Sequence, residues 1–126
     1  MRNQLAVTQS EWYIMELLWE KPRTLMEMVA ILAKEIGWSK STVTTMVRRM
    51  TEKGLLAYKT EGRTKVFRSA VTRKAVVARE TDSLLQRAYR GSVGLMFSAM
   101  VERTNLSQTD IDELYAILEK AREDGK

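Results

Sequence analysis

The sequence predicts a mainly α-helical chain with one small β-hairpin: three helices, the hairpin, then three more helices. Three observations carry that prediction. Apolar residues recur at spacings of three and four in six stretches, most of which open on a serine or threonine suited to capping a helix. Between the third and fourth stretches the pattern gives way to β-forming residues around a glycine. The basic charge is concentrated in the first part of the chain.

The first helix follows Thr8-Gln-Ser-Glu11, a capping box in which hydroxyl and carboxylate each satisfy a free backbone N–H. Trp12, Met15 and Trp19, with Ile14 and Leu18 beside them, form its apolar stripe until Lys21-Pro22 breaks it. Thr24-Leu-Met-Glu27 repeats the signature, and Leu25, Met28, Val29, Leu32 and Ile36 carry a second helix to Gly37. Ser39 caps the third. Its Val43, Met46, Val47 and Met50 fall at i, i+3, i+4 and i+7 before Gly54, so the opposite face displays Ser41, Thr44, Thr45, Arg48, Arg49 and Glu52.

Two short runs, Leu55 to Thr60 and Thr64 to Val71, flank Glu61-Gly62-Arg63 and predict the hairpin. Thr72 caps a fourth helix with Val77, Leu84, Leu85 and Ala88 on one side, ending near Gly91. The fifth, Ser92 to about Arg103, is apolar nearly all round and is expected in an interface. The sixth opens with Ser107-Gln-Thr-Asp110 and aligns Ile111, Leu114, Leu118 and Ala121. For Trp12, Trp19, Trp38 and the eight methionines, core packing is the expected role, with Trp38 also placed to buttress the third helix.

The chain has no cysteine and no histidine. That removes thiolate and imidazole ligands and the commonest general base, so neither an enzyme nor a zinc or copper site is expected. Asp110, Asp112 and Glu113 lie in a first helical turn, where they complement the helix dipole, and no metal or other cofactor is assigned. No apolar leader or membrane-length run is present, so a cytoplasmic location without membrane insertion is expected.

Charge divides unevenly. Residues 1–71 hold 12 basic against 7 acidic residues, a balance of +5, whereas residues 72–126 hold nine of each. Within residues 36–71 eight basic side chains face only Glu52 and Glu61. A polyanion is the natural partner of such a segment. A solvated face would account for charge alone, but a merely solvated helix favours glutamate and lysine over the hydroxyls of the third helix.

Three helices and a basic hairpin have the layout of a winged helix-turn-helix, with the third helix in the major groove of double-stranded DNA. Ser41, Thr44, Thr45 and Arg48 are then the expected base readers, through hydroxyls, threonine methyls and a bidentate guanidinium. Ser39, Lys40, Thr42, Arg49, Arg63 and Lys65 are expected on phosphates, adding affinity without reading sequence.

Those residues laid out, the chain resembles the BlaI/MecI/CopY family of bacterial penicillinase-type repressors. The resemblance rests on Ser10-Glu-Trp-Tyr-Ile-Met-Glu-Leu-Leu-Trp19, Trp38-Ser39 with Thr42-Val-Thr-Thr, Lys53-Gly54-Leu-Leu, and Asn105-Leu-Ser-Gln-Thr-Asp-Ile-Asp-Glu-Leu114. It implies a homodimeric repressor with a winged helix over residues 1–71 and a helical dimerisation region over 72–126, bound to a dyad-symmetric operator. Leu84, Leu95, Met96, Met100, Leu114 and Leu118 are the candidate dimer contacts. The cysteine-rich metal-sensing end of CopY-type members has no counterpart here. Antibiotic-responsive members are cut at an Asn-Phe bond when a membrane sensor protease is activated; the matching position is Ala99-Met100, a candidate proteolytic switch. Some relatives place basic residues near Ser41 and Thr44, which leaves the operator sequence open. Two other readings stay open: a winged-helix architectural or protein-interaction module without sequence specificity, and a MarR-like ligand-responsive regulator.

Overall fold

The computed structural model describes residues 5–125. Along them run α1 (Gln9–Glu20), β1 (Arg23–Thr24), α2 (Leu25–Ile36), α3 (Lys40–Lys53), β2 (Leu56–Glu61), β3 (Thr64–Ser69), α4 (Arg73–Tyr89), α5 (Val93–Arg103) and α6 (Gln108–Gly125). The chain is mainly helical with a small antiparallel sheet, and it divides into two compact units, Met1–Asp82 and Ser83–Lys126.

Caps set the helix starts. Thr8 Oγ1 accepts from the Glu11 N–H at 3.2 Å while the Glu11 carboxylate accepts from the Thr8 N–H at 2.9 Å. The same reciprocal pair recurs at Thr24 and Glu27, at 3.2 and 2.8 Å. Losing such a cap costs about 0.5–2 kcal/mol. Ser39, Thr72 and Ser107 cap α3, α4 and α6 as the spacing predicts, and Ser92, expected only as the start of the fifth helix, caps α5.

The first unit closes on Ile14 and Met15 of α1, Met28 and Leu32 of α2, Val43 and Met50 of α3, and Leu55, all with 1% exposure or less. Phe67 of β3 and Val76 of α4 complete this core. Its buried charge is Glu11, whose carboxylate accepts from Lys53 Nζ at 2.9 and 3.1 Å. The pair ties the start of α1 to the end of α3; hydrogen bonds to charged groups contribute about 1.5–3 kcal/mol, toward the lower end here because Lys53 is part exposed.

The sheet corrects the expected lone hairpin. Its strand order is β1-β3-β2, all antiparallel, with Arg23 opposite Phe67 and Thr24 opposite Val66. Thr24 therefore ends a strand and caps a helix at once. The hairpin strands run Leu56–Glu61 and Thr64–Ser69, so Glu61 joins the first strand while Leu55, Ala70 and Val71 fall outside the ladder, where the Ala70 N–H still donates to the Leu55 carbonyl at 2.8 Å.

Two apolar stripes turn relative to expectation. In α1 the innermost residues are Glu11, Ile14, Met15 and Leu18, while Trp12 and Trp19 are half-buried. These indoles lie edge-to-face with centroids 5.3 Å apart, and Trp19 Nε1 donates to the Val71 carbonyl at 3.0 Å. Arg73 lies over both rings and pairs with Glu16 at 2.7 Å. That clamp sets how α4 leaves the sheet. Val76 is buried and the expected Val77 is exposed, since one residue turns a helix by about 100°. Trp38 is half-buried against Tyr13, with centroids 5.6 Å apart, just ahead of α3.

The second unit contains the end of α4, then α5 and α6. Arg90 and Gly91, at φ +51° and +82°, turn the chain between α4 and α5. Among its described residues no side chain is fully buried.

Candidate nucleic-acid interface

The outward face of α3 follows from its inward one. With Val43, Val47 and Met50 buried, Lys40, Ser41, Thr42, Thr44, Arg48, Arg49 and Glu52 are exposed and Thr45 is half-buried. The hydroxyls are not equivalent. Ser39 Oγ accepts from the Thr42 N–H and also lies 3.1 Å from Thr42 Oγ1, so this pair is engaged in the cap. Thr44 Oγ1 donates to the Lys40 carbonyl at 2.8 Å, which commits its proton and leaves a lone pair and a methyl facing out. Among the described residues Ser41 and Thr45 have no side-chain hydrogen-bond partner, so both hydroxyls can donate or accept. Arg48 faces Glu52 at 3.6 Å. An exposed pair of this kind contributes about 1 kcal/mol or less, so the guanidinium is held loosely.

The hairpin turns through Gly62 and Arg63. Gly62 has φ +65°, the value the first central residue of a tight two-residue hairpin needs. Glycine there costs no strain, and it leaves Arg63 at the tip. Register does the rest. Tyr58 stands opposite Phe67, and Lys65, two residues from Phe67, lies diagonally on the same face. Lys65 Nζ sits 4.5 Å above the Tyr58 ring, which itself packs on Phe67 at 5.5 Å. The lysine is thereby steered by an aromatic surface.

Between α3, the hairpin and the β1–α2 junction lies an open groove of about 900 Å³. Thr44 and Arg48 border it from α3, Arg63 and Lys65 from the hairpin, and Met26 from α2. Four expected DNA contacts from two separate segments thus share one depression. Ser39, Lys40, Ser41, Thr42, Thr45 and Arg49 lie outside its lining; all but the half-buried Thr45 are exposed. Tyr58 and Met26 join the lining beyond the expected residues: strand parity with Lys65 marks Tyr58 once the register is known, whereas no local pattern marks Met26.

The expected dimer contacts lie in the second unit. Leu84, Leu95, Met100 and Leu118 are exposed, and Met96 and Leu114 are half-buried. Tyr115 and Ile117, at 69% and 56% exposure, add apolar surface that the helical stripe of α6 did not include. Ala99 is half-buried and Met100 exposed, both inside the continuous helix α5. Among the described residues no acidic cluster could hold a metal ion, and no helix is long and apolar enough to cross a membrane.

Comparison with known proteins bears directly on this geometry. The family model described as penicillinase repressor matches residues 7–120. The penicillinase repressor of Bacillus licheniformis is 30% identical over 121 residues, covering 95% of this chain and 94% of its own. The methicillin resistance regulatory protein MecI of Staphylococcus aureus strain N315 is 24% identical over 115 residues, covering 90% and 94%. Among solved structures, the DNA-binding domain of the repressor BlaI superposes with a TM-score of 0.52 at 27% identity, covering 58% of this chain and 90% of that domain. With a winged helix-turn-helix built from α1–α3 and the β2–β3 hairpin, and a family match across nearly its whole length, the chain belongs to the penicillinase repressor family, whose members are regulators and not enzymes.

Proposed function

We propose that the protein is a homodimeric transcriptional repressor that binds a pseudo-palindromic operator, each copy setting α3 into the major groove. Residues 1–71 bind DNA and residues 72–126 dimerise. Ser41, Thr44, Thr45 and Arg48 read base edges: Ser41 and Thr45 through free hydroxyls, Thr44 through its methyl and lone pair, Arg48 by bidentate contact with guanine. Ser39, Lys40, Thr42 and Arg49 contact the backbone at the edges of the groove, and Arg63 and Lys65 do so from the wing. The observation that carries this reading is the shared groove, bordered by Thr44 and Arg48 on one side and Arg63 and Lys65 on the other.

Dimerisation rests on the exposed and half-buried apolar side chains of α4–α6, with Leu84, Leu95, Met96, Met100, Leu114 and Leu118 at the contact. A twofold axis would space the half-sites by about one or two helical turns. Induction by a membrane sensor protease would cut Ala99–Met100. That bond lies within α5, so the helix must unwind locally before a protease can engage it. An intact mass after incubation with the activated cognate sensor would remove this switch.

Selection from a random duplex pool at near-physiological salt tests the central reading. The expected result is a palindrome bound at least about a thousandfold more tightly than random duplex. No enriched sequence would replace it with an architectural module that grips DNA without reading it.

A further inference from the structure

We propose that the groove between α3 and the hairpin is also a binding site for a small organic anion with a flat apolar body, such as an aromatic carboxylate, and that its occupation excludes DNA. The first half stands on the groove alone; the exclusion rests on the DNA-binding reading above.

Among the described residues the first unit leaves four large apolar side chains exposed: Tyr13, Met26, Tyr58 and Val77. Two of them, Met26 and Tyr58, face this one groove, whose floor continues onto buried Val47 and Phe67. A polyanion's phosphates have no use for such a floor. The rim is cationic, with Arg48, Arg63 and Lys65. Its one acid, Glu52, is engaged by Arg48, and Arg63 makes no ion pair among the described residues. The volume, about 900 Å³, lies within the roughly 300–1,000 Å³ of sites that enclose small organic molecules, and apolar walls with a few convergent polar groups are their usual lining.

Charge and apolarity together select the ligand. An inorganic anion would pair with the rim and leave the floor wet. A neutral aromatic would cover the floor while taking water from rim cations it cannot neutralise, which is costly. A cation would be repelled. A flat anion satisfies both, its ring against Met26 and Tyr58 and its carboxylate toward Arg63 and Lys65. Thr44 and Arg48, assigned to bases, lie under the same occupant, so DNA and ligand compete for one surface.

The test is titration of the isotope-labelled full chain with 2-naphthoate, following backbone amide resonances, with 2-naphthylmethanol and inorganic phosphate as controls. Saturable shifts centred on Met26, Tyr58 and Arg63 are expected below about 10 mM, with both controls at least about tenfold weaker. The double substitution R63Q/K65Q should weaken naphthoate at least about tenfold without lowering the melting temperature, and M26E should do the same by charging the floor. No saturation, shifts confined to residues 93–118, or equal binding of the alcohol would overturn the site. Adding random duplex at low salt should release naphthoate from the groove. Retention of both together overturns the exclusion. Failure of naphthoate with DNA binding intact removes this inference alone, whereas naphthoate binding in a chain that ignores DNA removes the repressor reading and leaves the site.

Discussion

Ile14, Met15, Met28, Val43 and Met50 are wholly shielded within the first compact unit, whereas in α5 and α6 of the second no side chain is, and Val93, Leu95, Ile117 and Leu118 stand half or more exposed. Both regions are helical, both are capped by serine or threonine, and both carry apolar stripes. They differ in where the stripes point. The first unit buries its own stripes and shows water a polar, basic face. The second shows its stripes. Burying a leucine or isoleucine contributes about 1.5–3 kcal/mol, so the first unit holds its stability internally, whereas the second would gain most of its own only through the dimer proposed above. Capping signals alone would not reveal that difference, because they are equally good in both; only the all-round apolarity of α5 hints at it.

The largest effect that could break this contrast comes from making one substitution in each region. Leu32→Ala, at a site with 1% exposure, should destabilise the fold by about 2–5 kcal/mol at any protein concentration, measured by urea unfolding. Leu118→Ala, at half exposure, should leave the first unit's unfolding midpoint unchanged and instead raise the concentration at which dimers dissociate, read by sedimentation. Equal, concentration-independent losses in the two variants would erase the distinction between the regions.

Smaller effects sharpen the contrast inside the interface. Arg48→Ala should remove about 1–3 kcal/mol of discrimination at one operator base pair while binding to random duplex changes little. Lys65→Ala should do the reverse, weakening every sequence alike and reducing the slope of affinity against salt by about one. Equal losses on operator and random duplex for both variants would refute the division between base-reading helix and phosphate-holding wing.

Much of the molecule is readable from local chemistry. Thr8, Thr24, Ser39, Thr72, Ser92 and Ser107 mark six helix starts because capping acts over three residues. Gly54 and Gly62 mark turns because few other residues adopt a positive φ. What escapes depends on distant partners. β1 is two residues long and exists because β3 pairs with it; Arg23-Thr24 alone carries no alternation. The Glu11–Lys53 pair spans 42 residues. In α4, Val76 and not Val77 is buried, and the first turn of the helix meets Trp12 and Trp19 through Arg73, a contact that no helical period contains. Tyr58 becomes part of the interface only through the register that sets Lys65 above it. The outward face of α3 is legible because a buried stripe fixes the opposite side; the groove that Thr44 and Arg48 share with the wing is not, since it depends on how two segments pack.

The central claim is that one region reads DNA and the other doubles it. It is tested most directly by titrating the full chain into two duplexes, one carrying the selected palindrome and one a single half-site, and measuring affinity and copies bound. Two copies binding the palindrome in one cooperative step, with the half-site bound far more weakly, is the predicted result. One copy per duplex, bound equally well to palindrome and half-site, would contradict it.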